Sequence, residues 1–191
     1  LATSVSGAAP IFSVSTASNS NTLDGLRLTG VISGGATGSS AVGLTKTGTG
    51  TLELTGTNTF GGSGSIIDVT AGILSVPSDA ALGDSANVVR LSANSGTQGF
   101  RATATFTTAR TFNLNAATVG IDVASGATLT LSSPFTFSVA TNALQKNDLG
   151  TLVISADNSL RTGATTIVAG VIQVEHANAL GSGQISLASP G

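Results

Sequence analysis

An all-β chain wound into a β-solenoid is predicted by three features of the sequence. These are a composition poor in charge and in large rings, a block of residues that returns after one hundred positions, and short alternating segments at near-constant spacing. The 191 residues are enough to bury a real core. Charged residues make up 8% of the chain, against about 25% in an ordinary globular domain. The hydrophobic share of 40% is too high for a disordered chain, so the abundant Gly and Ser do not mark a flexible linker. Trp, Tyr, Met and Cys are absent, and Phe supplies every ring. A thin core of Val, Ile, Leu, Ala and Thr suits that composition better than a thick globular one.

The repeated block begins with "LTKTGTGTLELTGTNTF" (44–60), which aligns with "LQKNDLGTLVISADNSL" (144–160). Leu44 meets Leu144, Lys46 meets Lys146, Gly50-Thr51-Leu52 meets Gly150-Thr151-Leu152, and Asn58 meets Asn158. After a two-residue change in length, Ala71-Gly72 meets Ala169-Gly170, Val76 meets Val174, and Ala81-Leu82-Gly83 meets Ala179-Leu180-Gly181. The repeat units span 44–96 and 144–191, within a single solenoid domain over 1–191. Leu52 and Leu54 alternate with Thr51, Glu53 and Thr55, the period-two pattern of a strand with one buried face. Asn58 and Asn158 read as turn formers and the two lysines as charges that keep a strand edge soluble.

Between the copies lie five strand candidates: 101–106, 111–115, 119–123, 127–131 and 135–139. Their centres fall roughly eight residues apart, separated by turn-forming residues. "SDAALG" (78–83) and "HANALG" (176–181) each predict at most one helical turn. Three sides of about eight residues give a coil of roughly 24, hence roughly eight coils in a rod of about 40 Å.

The stretch 44–83 resembles the autotransporter-associated β-strand repeat, also called the passenger-associated transport repeat. Leu44, Lys46, Gly48, Gly50, Thr51, Leu52, Leu54, Gly56, Asn58, Thr59, Phe60 and Gly62 carry the resemblance. Gly72 and Leu74 supply its ending after a few extra residues. The second copy departs at Asn147, Asp148 and Leu149, and again at Ala156 and Leu160, but keeps Gly163, Thr165, Ile167 and Gly170. The resemblance implies a right-handed parallel β-helix, exported to the surface of a Gram-negative bacterium through a C-terminal β-barrel. With no barrel in this sequence, it implies passenger material that assists secretion and folding.

Chemistry is thinly represented. Asp24, Glu53, Asp68, Asp79, Asp84, Asp122, Asp148, Asp157 and Glu175 are spaced as exposed strand and turn positions, and no catalytic residue is assigned. Asp122 and Asp148 stand close to one coil apart, the sole hint of a polysaccharide-degrading site, and the missing Trp and Tyr argue against one. His176 is the single histidine and aligns with Ser78, a turn position. One His and no Cys exclude ordinary zinc sites, so neither metal nor cofactor is expected. Seven scattered basic residues and a formal charge of −2 exclude a nucleic-acid footprint. No apolar run reaches the roughly 20 residues of a membrane helix. The expectation is a non-enzymatic stalk of an extracellular passenger that presents adhesive regions. The alternatives are a self-associating adhesin or filament subunit joined through solenoid ends, and a β-helical polysaccharide-degrading enzyme. A host or cell-surface ligand is left unspecified by any motif.

Overall fold

A computed structural model describes residues 3–5 (backbone), 10–15 and 25–188. Every strand pairing in it is parallel, and the strands stack into three long sheets, as an alternating Val/Ile/Leu/Thr chain with tight corners requires. Side one runs through β2 (Ile11–Ser13), β5 (Val42–Thr47), β7 (Ile66–Val69), β9 (Val88–Leu91), β12 (Phe112–Leu114) and β15 (Thr136–Phe137). Side two holds eight strands: β3 (Gly25–Leu28), β6 (Thr51–Leu54), β8 (Ile73–Val76), β10 (Ser95–Ala102), β13 (Thr118–Val123), β16 (Ala143–Asn147), β18 (Thr165–Ile167) and β20 (Ile185–Leu187). Side three is shorter, with β11 (Phe106–Thr108), β14 (Thr128–Leu131), β17 (Thr151–Ile154) and β19 (Val171–Val174). A further pair joins β1 (Thr3–Val5) to β4 (Ile32–Gly34). The solenoid has about seven coils, close to the expected eight. Coil length varies from 20 residues (Thr165 to Ile185) to 34 (Ile11 to Thr45).

Inward residues form ladders. On side two Leu52, Leu74, Phe100 and Ile121 follow one another in register, and on side one Leu44, Ile67, Val89 and Phe112 do the same. All eight are buried. Phe100 and Phe112 meet edge to face across the interior, ring centres 5.1 Å apart, a geometry worth about 0.5–1.5 kcal/mol beyond burial. Leu52 and Leu54 face the core as their alternation predicts, with Thr51, Glu53 and Thr55 half-buried on the other side.

One expectation needs correction. Residues 101–106 are not one strand: β10 ends at Ala102, a corner takes 103–105, and β11 restarts at Phe106. β10 also begins earlier, at Ser95, with a bulge before Gly99. "SDAALG" forms a single 3₁₀ turn at Asp79–Leu82, and 177–183 remain turns.

The repeats do not lie on the same sides. The first opens with β5 on side one and continues with β6 on side two; the second opens with β16 on side two and continues with β17 on side three. One hundred residues here amount to four coils plus one side. The non-strand segment that completes each repeat's coil moves too. Residues 55–65 lie over 29–34, through Thr59 N–H to Ile32 O and Gly61 N–H to Gly34 O. Residues 155–163 lie over 131–140, through Ser155 N–H to Leu131 O and Thr162 N–H to Ala140 O.

Candidate functional site

The most constrained chemistry in the molecule lies at the corner after each repeat's first strand. Gly48 turns the chain with φ +73°, and Asp148, in the matching place, does so with φ +61°. These turns leave main-chain carbonyls facing the interior, where an unpaired acceptor costs about 1–3 kcal/mol. The lysine two residues back meets them. Lys46 stands in the inward row of side one between Phe12 and Val69, and its side chain is fully buried. Its Nζ donates to Thr47 O at 2.7 Å, Gly48 O at 2.6 Å and, one coil on, Ala71 O at 3.0 Å. Lys146 repeats this on side two, between Ile121 and Ile167, donating to Asn147 O at 2.6 Å, Asp148 O at 2.7 Å and Ala169 O at 3.3 Å.

The lysines therefore do not solubilise an edge; they are core residues. The signal was in the sequence, because Lys46 shares the parity of Leu44 and Lys146 that of Leu144. Burial lowers the pKa of Lys46 to about 8. It lowers that of Lys146 too, with Asp122 and Asp148 pulling the other way.

Glycine closes each corner. Gly72 (φ +69°) has no room for a side chain: a Cβ would fall 2.6 Å from Lys46 Nζ and collide with the carbonyls of Gly48 and Gly50. Gly170 (φ +72°) is enclosed in the same way by Gly150 O and Asp148 O.

The asparagines are the second device, and they too are buried rather than local turn formers. Asn58 Oδ1 accepts from Ile32 N–H of the preceding coil at 2.8 Å, and its Nδ2 donates to Ala81 O of the following coil at 2.6 Å. Asn158 does the same between Phe135 N–H (2.7 Å) and Ala179 O (2.8 Å). Each side chain thus joins three successive coils through backbone groups that the sheets leave unpaired.

Two buried arginines were not foreseen. Arg110 forks onto Asp79 (Nε to Oδ1 2.7 Å, Nη2 to Oδ2 3.1 Å) and also donates to the carbonyls of Gly83 and Asp84, tying down the 3₁₀ turn. Arg161, 1% exposed, donates to Thr165 Oγ1, Leu180 O and Ala164 O, and burial lowers its pKa to about 10. The guanidinium acceptors of Arg110 all lie on another coil, whereas Arg161 combines one such acceptor, Leu180 O, with Ala164 O and Thr165 Oγ1 on its own coil.

The acids considered for catalysis hold other partners. Asp24 lies outside the described residues. Glu53 pairs with Arg27 at 2.6 Å, Asp68 with Arg90 at 2.6 Å, and Asp148 with Arg101 at 2.8 Å. Asp84 and Asp157 accept from the nearby N–H groups of Ala86 and Ser159, and Glu175 from Gln173. His176 is exposed and accepts from Asn178 N–H. Asp122 stands opposite Asn147, not Asp148, and Asn147 Nδ2 donates to its Oδ1 at 2.8 Å. Burial raises the Asp122 pKa, with Asn147 and Arg101 counteracting. The outward row Arg27, Glu53, Ser75 and Arg101 borders an open groove of about 490 Å³, where Arg27 is paired with Glu53 and Arg101 with Asp148. Among the described residues no group of three or more His, Cys, Asp or Glu could hold a metal. No described helix is long and apolar enough to cross a membrane.

Residues 44–76 and 144–174 match the family model of the passenger-associated-transport-repeat, so the chain carries two such repeats. A segment of 54 residues is 59% identical to part of the adhesin BmaC autotransporter of Brucella suis biovar 1 (strain 1330). That segment is 28% of this chain and 2% of the relative, so the chain spans a small fraction of that protein's length. No solved structure matches the chain.

Proposed function

We propose that this chain is a non-enzymatic stalk segment of a passenger secreted to, or displayed on, the surface of a Gram-negative bacterium. Its two passenger-type repeats help the solenoid form during export, and the rod holds adhesive regions away from the cell. The observation that carries this reading is the duplicated clamp. Lysine, glycine and asparagine recur in both repeats with the same backbone partners, though the repeats sit on different sides of the solenoid. Such a clamp satisfies its own coil together with the coils before and after it, and so favours coil-by-coil growth. The likeness to an autotransporter adhesin supports the export route.

Export is the direct test. The chain is placed between a signal peptide and a translocating barrel, and folded protein at the cell surface is measured by resistance to external protease. Replacing Asn58 and Asn158 together with Ala should strongly reduce the resistant surface fraction. An unchanged surface yield would refute the folding role. Incubation with acidic polysaccharides should release no new reducing or unsaturated ends, and their appearance would make the chain an enzyme.

A second reading, self-association through a solenoid end, is favoured by the last rungs. Leu187 and Ile185 on β20 are 76% and 55% exposed, and Val171 and Val174 on β19 are also exposed. A second copy stacking there would cover these residues and pair the strand edges. Sedimentation equilibrium should then give a mass rising with concentration, whereas a constant monomer mass would rule this reading out.

A further inference from the structure

The corner cages have a chemistry of their own. Around one point in the interior lie three main-chain carbonyl oxygens, at 2.6, 2.7 and 3.0 Å from Lys46 Nζ and at 2.6, 2.7 and 3.3 Å from Lys146 Nζ. None of the three contacts at either lysine is a carboxylate. Rings of backbone carbonyls are what proteins use to replace the hydration shell of a small monovalent cation. A primary ammonium has three N–H donors and no acceptor, matching three carbonyls one for one. The cage also exists apart from the lysine. Its oxygens are aimed by left-handed turns at residues 48 and 148 and closed by Gly72 and Gly170, whose own geometry is nearly identical in the two copies. The amino-acid types at the turn differ, Thr-Gly in one copy and Asn-Asp in the other, yet the acceptors are kept because they belong to the backbone.

We infer that these two corners are monovalent-cation sites formed by the main chain, each occupied by the ammonium group of its own lysine, and that each binds a free primary alkylammonium ion when that lysine is shortened. The lysine is a tethered ligand. The ion it stands in for has one positive charge, three N–H donors at one end and a short apolar tail that continues the interior ladder beside Phe12 and Val69, or beside Ile121 and Ile167. This inference concerns the folded solenoid and does not depend on the export role.

The experiment uses the 191-residue chain carrying Lys46→Ala or Lys146→Ala. Each substitution removes Cγ, Cδ, Cε and Nζ, the heavy atoms of n-propylammonium. Thermal unfolding is followed with n-propylammonium chloride, with n-propanol and with tetramethylammonium chloride. Binding to the folded state alone raises the melting temperature by mass action. A saturable rise of a few degrees is expected with n-propylammonium and none with the other two, which lack respectively the charge and the N–H donors. Lys46→Met and Lys146→Met fill the space with an uncharged chain and should show no response to any of the three. Equal responses to all three solutes, or no response to n-propylammonium in either alanine variant, would overturn the assignment. Should the alanine variants fail to fold, the unaltered protein gives the answer. Its two lysines, labelled with ¹⁵N, should both show ammonium signals with slowly exchanging protons at pH 7. Rapid exchange or a neutral amine at either lysine would be equally decisive against it.

Discussion

The first repeat, 44–76, and the second, 144–174, share a motif but not a position, a burial or a corner filler. The first lies inside the stack, where β8 is covered by β10 and Leu74 and Val76 are fully buried. The second ends at β19, which closes the side-three sheet, and its Val171 and Val174 are more than half exposed. At the corner the first repeat buries Phe60, while the equivalent Leu160 points outward, 79% exposed, and Arg161 turns in. The carbonyl of Leu82 is satisfied by Asn87 Nδ2, and that of its counterpart Leu180 by Arg161 Nη1, both at 3.0 Å. The cages and the asparagine bridges survive all these changes and a shift of one side. The repeat thus encodes a local three-coil joint, and which side of the solenoid it occupies is set elsewhere.

The largest expected difference between the copies is at that corner. Phe60→Ala should cost about 3–5 kcal/mol, the usual loss for a buried ring, and Leu160→Ala should stay within about 0.5 kcal/mol. Chemical denaturation of both variants measures this, and comparable losses would mean that Leu160 is covered in solution. Next comes a change that should harm both copies. Gly72→Ala and Gly170→Ala each force a side chain into a left-handed backbone, about 1–2 kcal/mol, and into the surrounding carbonyls as well. Thermal melts should show the larger loss for Gly72→Ala, because its coil is held on both faces while that of Gly170 has an open neighbour. An equal or reversed order would show that the outer coil is as rigid as the inner one.

The smallest effect separates the lysines by titration. The folded pKa of Lys46, about 8, lies below its ordinary value of 10.5, so between these the unfolded chain binds more protons. Stability should therefore rise as pH climbs from about 8 to 10.5, the reverse of what a surface ion pair would give. The neutral amine retains two N–H donors for three carbonyls, so one carbonyl loses its donor when the charge goes. Lys146, supported by Asp122 and Asp148, should release its proton at higher pH than Lys46. ¹⁵N-detected titration of the two side chains checks the order, and coincident midpoints would remove the role of the two aspartates.

Much of the fold was legible in the chain because its causes are local. Alternation placed Leu52 and Leu54 inward, Gly punctuated the coils, and the repeat of Leu44–Gly83 at Leu144–Gly181 required a stacked architecture. The candidate site was legible only as recurrence. Lys46, Lys146, Asn58 and Asn158 stood out as repeated, but general preference assigned the lysines to the surface and the asparagines to their own turns.

The sequence by itself therefore determined the parallel solenoid, its approximate coil number and its thin aliphatic core, all consequences of period and composition. The tertiary structure alone decided where the polar heads go and which side each repeat occupies. The acceptors of Lys46 and Asn58 include carbonyls 25 and 23 residues away, which no local window contains. The side is fixed by the summed lengths of four unequal coils, so it belongs to no single residue.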